Sequence, residues 1–255
     1  WRKIVDYVEA EKYFKRIKLN DPRQPLMLKF YVDYYTQQED WRRLLTVLST
    51  QQSEASETED KIEIGFQMAN IAEENLKSKD KAIEMWRAVL RLNPTQEEAI
   101  KALTRLYEQG NKWSALLELL KEQLELLPEG DISAQIERLE QIIAIYQDRM
   151  RQPMMVMNTY RQILDLDPRY EPALQALEAL YKSRSRWDDL AEMIERQAEL
   201  CEERGEMEQL RVRYLDLAAL NEKRLSDINR SVSYYEQMLD IRNDLDAILP
   251  LTRLY

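Results

Sequence analysis

Between residues 111 and 127 the apolar positions Trp113, Leu116, Leu117, Leu120, Leu124 and Leu127 are spaced 3, 1, 3, 4 and 3 apart, which is a single stripe along a helix. Glu118, Lys121, Glu122 and Glu125 occupy the other face. Pro128 ends this helix, because a proline pushes the residue before it out of the α region. Asp131 or Ser133 is placed to cap the next helix, 132–149. The same pattern along the chain predicts about fourteen helices, over 2–18, 25–37, 40–54, 59–77, 80–92, 96–109, 111–127, 132–149, 153–166, 170–183, 186–203, 206–224, 228–241 and 245–255. The links between them are two to six residues, short enough for antiparallel neighbours. No linker is long enough to separate two domains, so the pattern predicts one domain over 1–255.

The stripes repeat on a longer beat. YTQQEDW, YEQGNKW and YKSRSRW each run from a tyrosine through five residues to a tryptophan, and LTRLY closes on Tyr255. Tyr35, Tyr107, Tyr181 and Tyr255 step by 72, 74 and 74 residues, and Trp41, Trp113 and Trp187 by 72 and 74. Pro22, Pro94 and Pro168 keep the same beat, as do Phe14, Trp86, Tyr160 and Tyr235, then Ala69, Ala144 and Ala218, and Ala99, Ala173 and Ala247. Apolar positions hold while polar ones vary, which is the signature of architecture and not of a catalytic site. Each period contains four helix-like segments and therefore two hairpins. The super-repeats are 1–40 (partial), 41–112, 113–186 and 187–255 (partial).

Composition narrows the class. With Gly 4 and Pro 8 in 255 residues, too few turn formers exist for a β-sandwich or barrel. Apolar residues at 44 % and charged residues at 33 % describe a folded, water-soluble chain. The net charge of −10 is uneven: +1 over 1–40, −1 over 41–112, −3 over 113–186 and −7 over 187–255. So acidic a chain is a poor partner for phosphate backbones, and no nucleic-acid partner is expected. Its acidic end reads as a solvated helix face. No apolar run reaches the roughly 20 residues needed to cross a bilayer, so membrane insertion is not expected. The chain opens on Trp1 inside a helical pattern and reads as a piece of a longer protein. Its compartment is left unassigned, with the cytoplasm favoured.

The hairpins resemble tetratricopeptide repeats, the 34-residue helix–turn–helix family. In the unit ending at Pro128, Ile100, Leu103, Tyr107, Trp113, Leu116 and Leu120 stand at that family's pattern positions. Ile143, Ala144, Val156, Tyr160, Ile163 and Pro168 do so in the next. The array departs from the family at Thr104, where a small residue is the norm, and in units longer than 34 residues. The tryptophan-bearing hairpins are also similar to half-a-TPR repeats, without that family's arginine and glutamate signature.

The resemblance implies an all-α, right-handed superhelical solenoid of antiparallel hairpins. It implies a non-catalytic scaffold that binds a peptide or partner helix along a concave groove lined by the first helix of each hairpin. Carrying the family's inward positions across gives Phe66, Asn70, Lys101, Arg105, Gln141 and Ile145 as groove residues. Lys101 and Arg105, one turn apart, suit an acidic or C-terminal carboxylate. The helix QPLMLKFYVDYYTQ is more aromatic than one stripe needs, which adds Tyr31 and Tyr34 as residues facing the groove or a neighbouring subunit. Two alternatives remain: a self-assembling structural subunit, hence a homo-oligomer, and an accessory domain of an enzyme or regulator encoded outside this segment.

Catalytic chemistry is not expected. His 0 removes the commonest general base and metal ligand. Cys201 has no histidine to activate it and reads as a buried or idle thiol. No Gly-rich phosphate loop exists, and pairs such as Asp188–Asp189, Glu202–Glu203 and Asp165–Asp167 lack metal-loop spacing. Neither cofactor nor metal is expected. In RQPMMVMNTY the packing stripe through Val156 and Tyr160 requires some of Met154, Met155 and Met157 to fill the core.

Overall fold

The computed structural model describes residues 7–21, 23–243 and 245–255. The expected helix start at residue 2 and the repeat proline Pro22 lie outside them. The described residues form α-helices and no strand: α1 Tyr7–Asn20, α2 Pro25–Gln37, α3 Trp41–Glu54, α4 Thr58–Asn70, α5 Lys79–Leu92, α6 Glu97–Gln109, α7 Trp113–Glu125, α8 Ile132–Ala144, α9 Pro153–Leu166, α10 Glu171–Ser183, α11 Trp187–Arg204, α12 Met207–Leu220, α13 Ile228–Ile241 and α14 Leu245–Leu254. They divide into two compact units, Trp1–Leu126 and Leu127–Tyr255. Within each unit a helix packs chiefly on its neighbours in sequence, as in α4 on α5 and α12 on α13.

The stripes read from the sequence are the buried faces. Leu103, Leu106 and Tyr107 of α6 and Leu116, Leu117 and Leu120 of α7 are buried in the first unit. Leu174, Leu177 and Tyr181 of α10 and Leu190 and Ile194 of α11 are buried in the second. Each such side chain contributes on the order of 1.5–3 kcal/mol when fully buried. Met157 is fully buried while Met154 is half exposed, so the methionine run is split between core and surface.

Caps follow the sequence where a short polar side chain is available. Asp131 Oδ1 accepts the Ala134 N–H at 3.1 Å, and Asp40 and Asp227 do the same for Arg43 and Arg230. The turn between the repeated tyrosine and tryptophan is made by backbone. The carbonyls of Tyr35, Tyr107 and Tyr181 accept the N–H five residues on, from Asp40, Lys112 and Arg186, at 3.0, 2.8 and 3.0 Å. That closure puts Glu39, Asn111 and Ser185 in the left-handed region, with φ of 53°, 52° and 56°. The tyrosines are buried, and each tryptophan is the half-buried first residue of α3, α7 or α11.

One element was not expected. The predicted helices 59–77, 132–149 and 206–224 each end in a wider π turn, Ile71–Asn75, Ile145–Arg149 and Asn221–Leu225. Behind it the carbonyls of Ala72, Tyr146 and Asn221 accept the N–H of Ser78, Gln152 and Asp227, each at 2.9 Å. Lys77, Arg151 and Ser226 take positive φ to allow this six-residue closure. The register of the middle copy also differs from the sequence alignment: Ala69 and Ala218 are buried, but Ala144 is exposed and Ile143 takes the buried place.

Candidate functional site

Six of the eight candidate residues lie in the first unit. Lys101 and Arg105 are exposed on α6, one turn apart. Neither is free: Lys101 Nζ lies 2.9 Å from Glu97 Oε2 on the same helix, and Arg105 Nη1 lies 2.5 Å from Glu73 Oε1 in the π turn after α4. Hydrogen bonding to those carboxylates pushes both cations further above their ordinary range. The second pair carries α6 against the end of α4, where Asn70 is exposed. Phe66, one turn before Asn70, is half-buried, with its ring 5.3 Å from that of Trp86.

Tyr31 and Tyr34 belong to a separate aromatic cluster. Phe14 of α1 stacks on Phe30 at 4.2 Å, Tyr31 on Tyr35 at 5.3 Å, and Tyr34 on Phe30 at 5.7 Å. Tyr31 is 2 % exposed and is a core residue of this cluster. Tyr34 is half-buried. The excess of aromatics in α2 is thus taken up by α1, whose Tyr7 also packs on Phe30.

Gln141 and Ile145 lie in the second unit. Gln141 is exposed, and its Oε1 accepts a hydrogen bond from Arg138 Nη1 at 2.8 Å. Ile145 opens the π turn and is buried, so it offers a partner no surface.

Among the described residues no three His, Cys, Asp or Glu side chains are grouped to hold a metal ion. Cys201 is buried, and burial pushes its thiol up, away from a reactive thiolate. Among the described residues no helix is long and apolar enough to cross a membrane. What α4 and α6 present is two cations on a polar face, each held by a carboxylate of the same chain.

An interior assembled from successive helical hairpins on a fixed beat defines a helical repeat protein. The tetratricopeptide repeat model matches residues 99–154 and 173–208. Such repeats are in general protein-binding units without catalysis of their own. Comparison with curated proteins gave no match. Among solved structures, a tetratricopeptide repeat protein from Parabacteroides merdae is 16 % identical, with 98 % of this chain and 92 % of that chain covered and a TM-score of 0.34. A thermophilic TPR protein from Thermus thermophilus is 18 % identical over 78 % of this chain and 98 % of its own, with a TM-score of 0.29. A chain in the structure of Naa15/Naa10 bound to HypK-THB is 14 % identical over 89 % of this chain and 38 % of its own, with a TM-score of 0.41.

Proposed function

We propose that the chain is a non-catalytic interaction scaffold, one repeat domain whose first unit binds an acidic peptide or partner helix across α4 and α6. The observation that carries this reading is the pairing of Lys101 with Glu97 and of Arg105 with Glu73 at an exposed surface. Exposed ion pairs are screened by water and contribute little, so a partner's carboxylate displaces Glu97 or Glu73 at small cost. The intrachain pairs hold both cations in place until then. Asn70 and Phe66 alongside would supply an amide and an aromatic edge.

The test is fluorescence anisotropy with a labelled acidic peptide, comparing the native chain with Lys101→Glu/Arg105→Glu. Loss of binding in the double variant, and weakening of native binding by salt, support the reading. Equal affinity of the two chains removes it.

A second reading, a self-assembling subunit, has one observation in its favour. Leu245 and Leu249 of α14 are 67 % and 64 % exposed, an apolar face of the kind that pairs with a further helix. Light scattering at rising concentration separates the two: a mass that grows with concentration supports assembly, and a constant monomer mass supports the scaffold alone.

A further inference from the structure

In the second unit an open cavity of about 520 Å³ lies where the π turn after α8, the start of α9 and α10 meet. None of the eight residues considered above lines it. Its walls are Pro153, Val156, Tyr160, Ala176 and Leu180, and its rim carries Gln147, Gln152 and Arg151.

The repeat explains why it is open. The residue 74 before Ala179 is Arg105, and the residue 74 after it is Arg253. Arg105 is bonded to Glu73, and Arg253 to Glu222, so each of these copies ties its helix to the π turn of an earlier one. In the middle copy the two positions are Ala179 and Gln147, and no bridge forms. A second change acts with it. Trp86 fills the first copy and is buried against Phe66. Its counterpart is Tyr160, only half-buried, and the counterpart of Phe66 is Glu140. In the third copy Tyr235 is buried and its hydroxyl donates to Glu222 Oε2 at 3.3 Å. The Tyr160 hydroxyl and the Arg151 guanidinium have no hydrogen-bond or ion-pair partner among the described residues. The middle copy therefore has apolar walls, an unclaimed hydroxyl and an unclaimed cation at one opening.

We propose that this cavity is a recognition site for a partner peptide. A large apolar side chain enters between Val156, Ala176 and Leu180, and a carboxylate beside it in the peptide meets Arg151. The volume is that of a small-ligand pocket, ample for one phenylalanine or leucine side chain. The sole charge among the lining residues is the positive Arg151, which selects an anionic neighbour for the anchor.

The experiment is a methyl NMR titration of the full chain with acetyl-Phe-Asp-amide, with acetyl-Phe-Asn-amide as the uncharged control. Saturable shifts of the Val156 and Leu180 methyls, with the Asn probe about two- to fivefold weaker, are expected. Arg151→Gln should bring the Asp probe down to the level of the Asn probe. Gln147→Glu with Ala179→Arg rebuilds the bridge of the other copies and should abolish the shifts at unchanged helicity. Ala176→Trp, which plugs the cavity by a different route, should do the same. Absence of shifts at Val156 and Leu180, equal affinity for the two probes, or binding that survives both closing variants would each overturn the proposal.

Discussion

Arg87 Nε donates a hydrogen bond to the Tyr107 hydroxyl at 2.9 Å, and 74 residues later Arg161 Nε repeats it to Tyr181 at 2.7 Å. Each arginine reaches a third helix as well. Arg87 Nη1 lies 2.6 Å from Glu122 of α7, and Arg161 Nη2 lies 2.8 Å from Asp189 of α11. One side chain thus ties three consecutive helices in each unit, and the repeated tyrosine is held at its polar end as well as by its ring.

Tyr107→Phe leaves the ring in place and strips Arg87 of its least exposed partner. It should cost about 1–2 kcal/mol, because a part-buried donor on a charged group is left unpaired. Glu122→Gln, at the exposed end of the same arginine, should cost less than about 1 kcal/mol. Urea unfolding of the two variants checks the order, and a larger loss for Glu122→Gln would contradict it.

Much of this arrangement was legible in the sequence. The 3.6-residue stripes located the helices, with α7 expected over 111–127 and found over Trp113–Glu125. The candidate surface was legible only in part. Lys101 and Arg105 were placed on one exposed face, but their partners, four and 32 residues away, leave no mark on the periodicity. Tyr31 looks like excess on α2 alone because a stripe count does not see α1, whose Lys18 lies 5.2 Å from the Tyr31 ring and whose Phe14 stacks on Phe30. The left-handed turns were invisible because Glu39, Asn111 and Ser185 occupy them and glycine does not. Gly110 sits one residue before Asn111 at an ordinary helical φ of −92°. The pairs Arg87–Tyr107 and Arg161–Tyr181 do keep the 74-residue beat, so that signal was present and could have been read.

Gly65 is buried in the middle of α4, where alanine would ordinarily favour the helix by about 1 kcal/mol. Here a Cβ would stand 2.7 Å from Val89 Cγ2, a fully buried side chain of α5. Gly65→Ala should therefore destabilise, by about 1–3 kcal/mol. Combined with Val89→Ala it should cost less than the two single changes added together. Thermal or urea unfolding reads both, and a stabilised Gly65→Ala would show that the two helices are further apart.

Burial raises the Tyr31 phenol from 10.0 to about 12, with Tyr35, Glu11 and Tyr34 adding to the shift. The native state therefore favours the neutral form more than the unfolded chain does. Its contribution is complete below about pH 10, the unfolded value, and is lost as pH climbs through about 12. The urea midpoint should fall over that window, and Tyr31→Phe should make the fall shallower. An identical slope in the variant would place the alkaline loss elsewhere.

Cys201 should react slowly with a disulfide reagent in the native chain and fully in denaturant, since its thiol is buried and pushed up by that burial. Rapid native reaction, followed by absorbance of the released thiolate, would mean that α11 and α12 open readily at this point.

The left-handed turns have a stereochemical consequence. Glu39, Lys77, Asn111, Arg151, Ser185 and Ser226 are L-residues in a conformation that is the natural one for their mirror images. An L-residue gives up about 1–2 kcal/mol there. Each of these turns is thus a place where a single D-amino acid, introduced by chemical ligation, would relieve handedness strain while keeping the backbone hydrogen bonds of the turn. Six joints of an all-L chain thus run on the backbone hand that D-residues prefer.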